Sequence, residues 1–254
     1  EYDEDKTPEI DFDIIKNTLV VTNNEKGFEK IHVDAICNID ASTKANKDGY
    51  IGQKGIGFKS IFLKTHNPQI HSNNFHFQLY DRESTKGNKA GYVTPSWIEP
   101  PYDTASDKTT LICPAKSGME YTAEDFKEIK PESLLFFRRL KLIRYPSTEG
   151  GRIELTLEKE GNTHKIKKNN NELSSQQILF YKVFETKLTM GIKRDENEDQ
   201  HDRAISETPI IFVFKISEDG QVDTSANSLF NYLPIKDIGL NFTLQADILM
   251  TASR

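Results

Sequence analysis

Ile51-Gly52-Gln53-Lys54-Gly55-Ile56-Gly57-Phe58 places three glycines within six residues, directly ahead of the helical-looking stretch Phe58 to Phe62. Glycines at this density leave backbone N–H groups unblocked, and a helix that follows adds its positive end, so the segment suits an anion such as a phosphate. It is not a Walker loop, because no Gly-Lys-Ser/Thr follows. Nor is it a dinucleotide fingerprint: the glycine order is inverted, and a polar loop rather than a parallel strand precedes it. Read alone, the loop fits either a phosphate cradle or a flexible connection whose glycines only permit positive φ.

Upstream, Glu9 to Thr22 holds two β-rich runs, Ile10 to Ile15 and Thr18 to Thr22, broken at Lys16-Asn17, which predicts a hairpin. Phe28 to Ile39 carries Phe28, Ile31, Ala35 and Ile39 near helical spacing, and a short helix is expected there. Downstream, Gln69 to Tyr80 alternates as a strand, Thr109 to Cys113 is another, and Glu124 to Leu142 reads as a helix closed by Tyr145-Pro146. From Gly151 the pattern changes to longer strands, Arg152 to Glu158, Ile178 to Met190, Pro209 to Ile216 and Phe242 to Met250, interrupted by the charged loop Lys193 to Arg203. The expected class is α+β, with a domain boundary near residue 147 and no internal repeat.

The chain has 254 residues and a net charge of −6, and Glu1 to Asp13 contributes seven acids against one lysine. That block accounts for the whole excess, so a protein whose main business is wrapping nucleic acid is disfavoured. The two cysteines, Cys37 and Cys113, are far apart and lack a Cys-x-x-Cys spacing, which predicts neither a zinc site nor a disulfide framework. No apolar run reaches the ~18 to 20 residues that span a bilayer, and no leader opens the chain, so no membrane role and an intracellular location, cytoplasmic or nuclear, are expected. The acidic start without Met and the stop at Thr251-Ala252-Ser253-Arg254 predict a piece of a longer protein.

Asn23-Asn24-Glu25-Lys26-Gly27-Phe28, a helix, Ser42-Thr43-Lys44, the loop Gly49 to Ser60 and Thr109 to Pro114 follow one another in the order found in the GHKL ATPases. The stretch Ile51 to Phe62 resembles the lid loop of the ninety-kilodalton heat-shock chaperone and of sacsin. The wording of Asn23 to Phe28, Gly49 to Phe62 and Tyr232 to Arg254 is similar to the plant and fungal NO VEIN-type, sacsin-like proteins. The resemblance implies a Bergerat-type α/β sandwich, with helices on one face of a mixed, mostly antiparallel sheet. It makes residues 1–146 a nucleotide-binding domain and residues 147–254 a smaller transducer-like or middle region. ATP or ADP with Mg²⁺ is the implied cofactor.

Carried over residue by residue, Asn23 takes the place of the aspartate that reads adenine, and Gly27 matches the second glycine of the same motif. The chain departs from the pattern here, with Asn for Asp and Glu25 for the first glycine. An amide oxygen still accepts a hydrogen bond from the adenine amino group, without the charge that strengthens it. Gly52, Gly55 and Gly57 match the lid glycines, with Gln53, Ile56, Phe58 and the N–H groups after Gly55 beside the phosphates. Lys54 is either a point charge near the γ-phosphate or a solvated loop lysine, and Lys44 is a phosphate neighbour. Thr109 matches the threonine that shares a water with the base-reading residue.

In this family the helix that supplies a water-polarising glutamate and a Mg²⁺-ligating asparagine lies before the strand matched by Ile10 to Ile15. This chain begins after it, so no catalytic residue is assigned and hydrolysis stays open. His66, His71 and His76 are read as sharing one strand-like stretch, with His71 and His76 on opposite sides, and no metal site is expected. Lys236 and Arg254 are unmatched candidates for a γ-phosphate contact. Two functions are compatible with these residues. The first is an ATP-driven conformational module of a chaperone-like or sacsin-like protein, with an unidentified protein client and a homodimer formed through the segment upstream. The second is a non-hydrolysing interaction module that keeps the fold. A histidine kinase is disfavoured, because no phosphoacceptor helix precedes the motifs.

Overall fold

The structure, a computed structural model, describes residues 2–37, 58, 60–81, 94–100, 108–189, 207–225, 228–231, 233–237 and 239–246. The chain divides into two compact units. Residues 1–128, 139–154 and 170–175 form the first, and residues 129–138, 155–169 and 176–254 the second.

The first unit is built on strands β1 (Glu9–Ile15), β2 (Thr18–Asn23), β3 (Gln69–Ser72), β4 (Phe75–Gln78), β5 (Ser96–Trp97), β6 (Thr109–Pro114) and β7 (Leu142–Pro146). Their order is β5-β4-β3-β6-β2-β1-β7. Neighbours run antiparallel except β1 and β7, which are parallel, so the sheet is mixed. The β1–β2 hairpin forms where the sequence places it: Lys16 and Asn17 have φ of 49° and 59°, the two left-handed positions that a two-residue turn needs to follow strand twist. Asn17 does more than turn the chain. Its side-chain nitrogen donates to the carbonyl of Met119 at 3.0 Å, and its side-chain oxygen accepts the N–H of Tyr121 at 2.9 Å.

Helix α1 (Lys30–Cys37) matches the described part of the predicted helix and buries Val33 in a cluster with Ile70, Phe77 and Leu79. Phe28, Ile36, Phe58, Phe62 and Leu111 pack against that cluster. Burial of the Cys113 side chain pushes its thiol pKa up to about 12, so it is an inert core thiol. On β1 the apolar Ile10, Phe12 and Ile14 alternate with Glu9, Asp11 and Asp13, and those three acids meet basic groups. Arg144 bonds Glu9 at 3.1 Å and Glu154 at 2.8 Å, Arg152 contacts Asp11 and Asp13, and Lys108 reaches Glu9 at 3.3 Å. Part of the acidic block at the start of the chain is therefore neutralised within the sheet.

Two expectations fail here. Gln69 to Tyr80 is a hairpin, not one strand: Asn73, with φ 51°, turns the chain between β3 and β4. His71 and His76 become directly paired across the two strands, with their Nδ1 atoms 3.2 Å apart, instead of facing opposite sides. The long helix over Glu124 to Leu142 is also absent. A 3-10 turn (Ala123–Phe126), the one-turn helix α2 (Ser133–Phe136) and strand β7 take its place. Pro131 removes a donor just before α2, and Leu142 to Pro146 finds the edge of β1 open for pairing.

The second unit contains β8 (Arg152–Glu160) from Leu155 onward, most of β9 (Thr163–Asn170) and β10 (Ser175–Thr189), then β11 (Glu207–Ile216), β12 (Ser228–Asn231), β13 (Leu233–Asp237) and β14 (Thr243–Ala246), in the order β13-β12-β14-β11-β10-β9-β8. This sheet is mixed too, because β12 and β14 are parallel. Tyr181, Val213 and Phe230 are buried, and Phe136 of α2 packs against Phe230 with the rings tilted at 50° and their centroids 4.8 Å apart. The hydroxyl of Tyr181 donates to Glu132 at 2.9 Å, which ties β10 to the residue before α2. Strand β9 went unread in the sequence: its lysines hide the alternation of His164 and Ile166, both buried.

Candidate functional site

Among the described residues, Asn23, Gly27 and Thr109 of the set singled out by sequence lie at one end of the first unit's sheet. Asn23 closes β2 and Thr109 opens β6, and the two are directly opposite in the antiparallel register. Directly paired residues share a sheet face, so the amide and the hydroxyl sit side by side. Beyond Asn23 the backbone leaves the sheet in a turn stabilised by its own side chain: Oδ1 of Asn23 accepts the N–H of Glu25 at 3.1 Å. Gly27 then adopts φ 86°, a conformation open to glycine at little cost.

The loop is stitched to the β3–β4 turn by two residues that the sequence reading missed. Nδ2 of Asn73 donates to the carbonyls of Lys26 and Phe28, at 3.0 and 3.1 Å, on either side of Gly27. A Cβ on Gly27 would come within 2.5 Å of that same side chain, so glycine is required on both conformational and steric grounds. Ser72 is 1% exposed; its hydroxyl oxygen accepts the N–H of Phe28 at 2.8 Å and lies 2.5 Å from the hydroxyl of Thr109. A Ser-Asn-Asn run is a turn signal, and reading it so would have found the β3–β4 turn, though not the loop it meets.

Asn24 has a separate, structural task. It is buried, accepts the N–H of Glu9 at 2.9 Å and donates to the carbonyl of Thr7 at 2.7 Å, fixing where β1 begins. Phe58 lies against the α1 cluster. Lys44, Gly52, Gln53, Lys54, Gly55, Ile56 and Gly57, together with Ser42, Thr43 and Arg254, lie outside the described residues, as does the side chain of Lys236. Of the predicted set, the structure thus brings Asn23, Gly27 and Thr109 together. The buried His71, paired with the half-buried His76, adjoins this site in sequence through Ser72. Burial, then the neighbouring His76, lowers the pKa of His71. Among the described residues no group of three His, Cys, Asp or Glu side chains is placed to hold a metal ion, and no helix is long and apolar enough to cross a membrane.

The described residues define a protein of mixed sheets with few helices, whose first unit carries an uncharged polar pair at a strand end beside a glycine turn. The chain is 30% identical, over an alignment of 278 residues, to Protein NO VEIN of Arabidopsis thaliana. That alignment takes in 100% of this chain and 10% of the plant protein, so the chain spans about a tenth of the length of the curated relative it matches. No family model matches. Among solved structures, the B-subunit of the DNA gyrase from Myxococcus xanthus aligns with a TM-score of 0.40 and 6% sequence identity, over 89% of this chain and 60% of that one.

Proposed function

We propose that residues 1–146, which hold most of the first unit, are the nucleotide-binding layer of a GHKL-type ATPase module, a Bergerat fold with its helices on one face of the sheet, and that residues 147–254 act as its transducer. The observation that carries this reading is the pairing of Asn23 with Thr109 at the sheet end, beside the left-handed Gly27. These are the residues that the family resemblance assigns to the base-binding end of the pocket, and they are far apart in sequence. Both groups are uncharged and able to donate and accept, which suits a purine edge.

On this reading Asn23 and Thr109 orient the base, and the loop Gly49 to Gly57 closes over the phosphates with the N–H groups after Gly55 as donors. Lys44 and Lys54 add positive charge, and Gln53 and Ile56 complete the loop. ATP bound there supplies the free energy for a cycle of closure that the transducer transmits to a protein client. The described residues provide no ligand set for Mg²⁺, and no step is assigned to it. The work is intracellular, and the full protein dimerises through its upstream segment.

A titration of the chain with a fluorescent ATP analogue and Mg²⁺, beside a Gly55→Val, Gly57→Val double variant, tests the reading. Binding by the native chain and its loss in the variant support it. Absence of binding by the native chain sinks it.

A second reading, a nucleotide-binding interaction module that does not hydrolyse, is favoured by one feature: Asn23 stands for Asp and turns its oxygen back onto the N–H of Glu25. Turnover by a chain extended upstream, abolished by changing a glutamate of the added helix, would exclude it.

A further inference from the structure

We propose that Asn23 accepts a purine bearing either a 6-amino or a 6-oxo group, so that the site takes adenosine and guanosine triphosphates with similar affinity. This rests on the nucleotide reading above and adds to it the identity of the base.

The argument begins with the turn after β2. The N–H of Glu25 is a donor, so the Asn23 atom that meets it at 3.1 Å must be the oxygen, and the orientation of the amide is set by that bond. The nitrogen end, with two N–H donors, has no partner among the described residues. The oxygen keeps one lone pair. Asn23 therefore offers donors to a 6-oxo group and one acceptor site to a 6-amino group. A carboxylate at this position has acceptors only and would repel a 6-oxo oxygen.

Thr109, opposite Asn23, has the same versatility. Ser72 takes the N–H of Phe28 on its oxygen and shares a proton with Thr109 across 2.5 Å. When Ser72 donates, the Thr109 proton is free to point at a ligand acceptor. When Thr109 donates to Ser72, its lone pairs face a ligand N–H. The adjoining ring nitrogen is an acceptor in adenine and an N–H donor in guanine, and one rotation of two buried hydroxyls serves both. Selective adenine recognition needs an acceptor fixed on the 6-amino group and a donor fixed on the ring nitrogen, and at this end of the sheet Asn23 is not restricted to accepting nor Thr109 to donating.

The experiment displaces a bound fluorescent ATP analogue with ATP and with GTP, from the native chain and from Asn23→Asp and Asn23→Ala variants whose folding is checked by circular dichroism. Aspartate accepts the same Glu25 N–H, so the turn survives that change. The expected result is that ATP and GTP bind the native chain within about fivefold, that Asn23→Asp shifts the ratio at least about tenfold toward ATP by weakening GTP, and that Asn23→Ala weakens both alike. A native preference for ATP of about fiftyfold or more overturns the proposal and leaves the nucleotide reading standing, as does a ratio unmoved by Asn23→Asp. Failure of the native chain to bind the analogue overturns the nucleotide reading, and this proposal with it.

Discussion

The Ser72 hydroxyl, 2.5 Å from that of Thr109, also accepts the backbone N–H of Phe28, so one buried oxygen joins the first residue of β6 to the loop after β2. Removing it leaves a buried N–H and a buried hydroxyl without partners. Ser72→Ala is expected to cost about 1–3 kcal/mol in urea unfolding. It should also weaken nucleotide binding more than Asn24→Ala does, because Asn24 fixes the start of β1 and touches neither Thr109 nor Phe28.

Gly27→Ala forces a side chain into the left-handed region and onto the amide of Asn73. The conformational term alone is worth about 1–2 kcal/mol. The steric term depends on Asn73, so the alanine should cost less in an Asn73→Ala background than in the native one. A double-mutant cycle read by urea midpoints measures the difference. Strict additivity would show that the two residues do not meet.

Acid should destabilise the chain. His71 takes up its proton in the folded state below the ordinary imidazole value of about 6.5, because burial and then His76 disfavour the cation. His164 is lowered in the same direction, by burial and then by Lys159. The unfolded chain thus binds more protons just below that ordinary value, and stability present above it is lost as pH falls through it. Unfolding measured at about pH 7.5 and pH 5.5 should show the loss, and His71→Gln should shrink it without abolishing it. A pH slope unchanged in His71→Gln would assign the effect elsewhere.

The network on β1 makes a different kind of prediction. Glu9 is partly buried, which raises its pKa, but hydrogen bonds from Arg144 and Lys108 outweigh burial and hold its carboxyl below the ordinary value. Arg144 uses two nitrogens, Nε toward Glu154 and an Nη toward Glu9. A lysine has one nitrogen and cannot copy that fork. Arg144→Lys and Arg144→Gln are both expected to cost about 1–2 kcal/mol, with the cost shrinking in high salt. Full rescue by lysine would mean that only the charge matters.

Local chemistry decided how much of the fold and the site was legible in the sequence. Lys16-Asn17 announced its hairpin because two polar residues, one of them an asparagine that tolerates positive φ, stood between two β-rich runs. The motifs around Asn23, Gly27 and Thr109 were found by resemblance, and the register of β2 with β6 then placed Asn23 opposite Thr109. Ser72 and Asn73 escaped because their roles are non-local, 44 and 45 residues from Phe28, and nothing in their own neighbourhood distinguishes them from ordinary turn residues. The region after Glu124 misled for the opposite reason. Its leucines and phenylalanines do carry helical spacing, but Leu134, Leu135 and Phe136 are buried within a single turn, and the edge of β1 claims Leu142, Ile143 and Arg144 as a strand.

Asn17 sits at a position where hairpin statistics would recommend glycine, and a designer seeking a hardier protein would make that change first. Here the recommendation misfires. The turn would relax, but the segment from Met119 to Tyr121 would lose both side-chain bonds that hold it 102 and 104 residues away along the chain. A residue that looks like punctuation is a clasp, and consensus engineering applied to the turn alone would unfasten it.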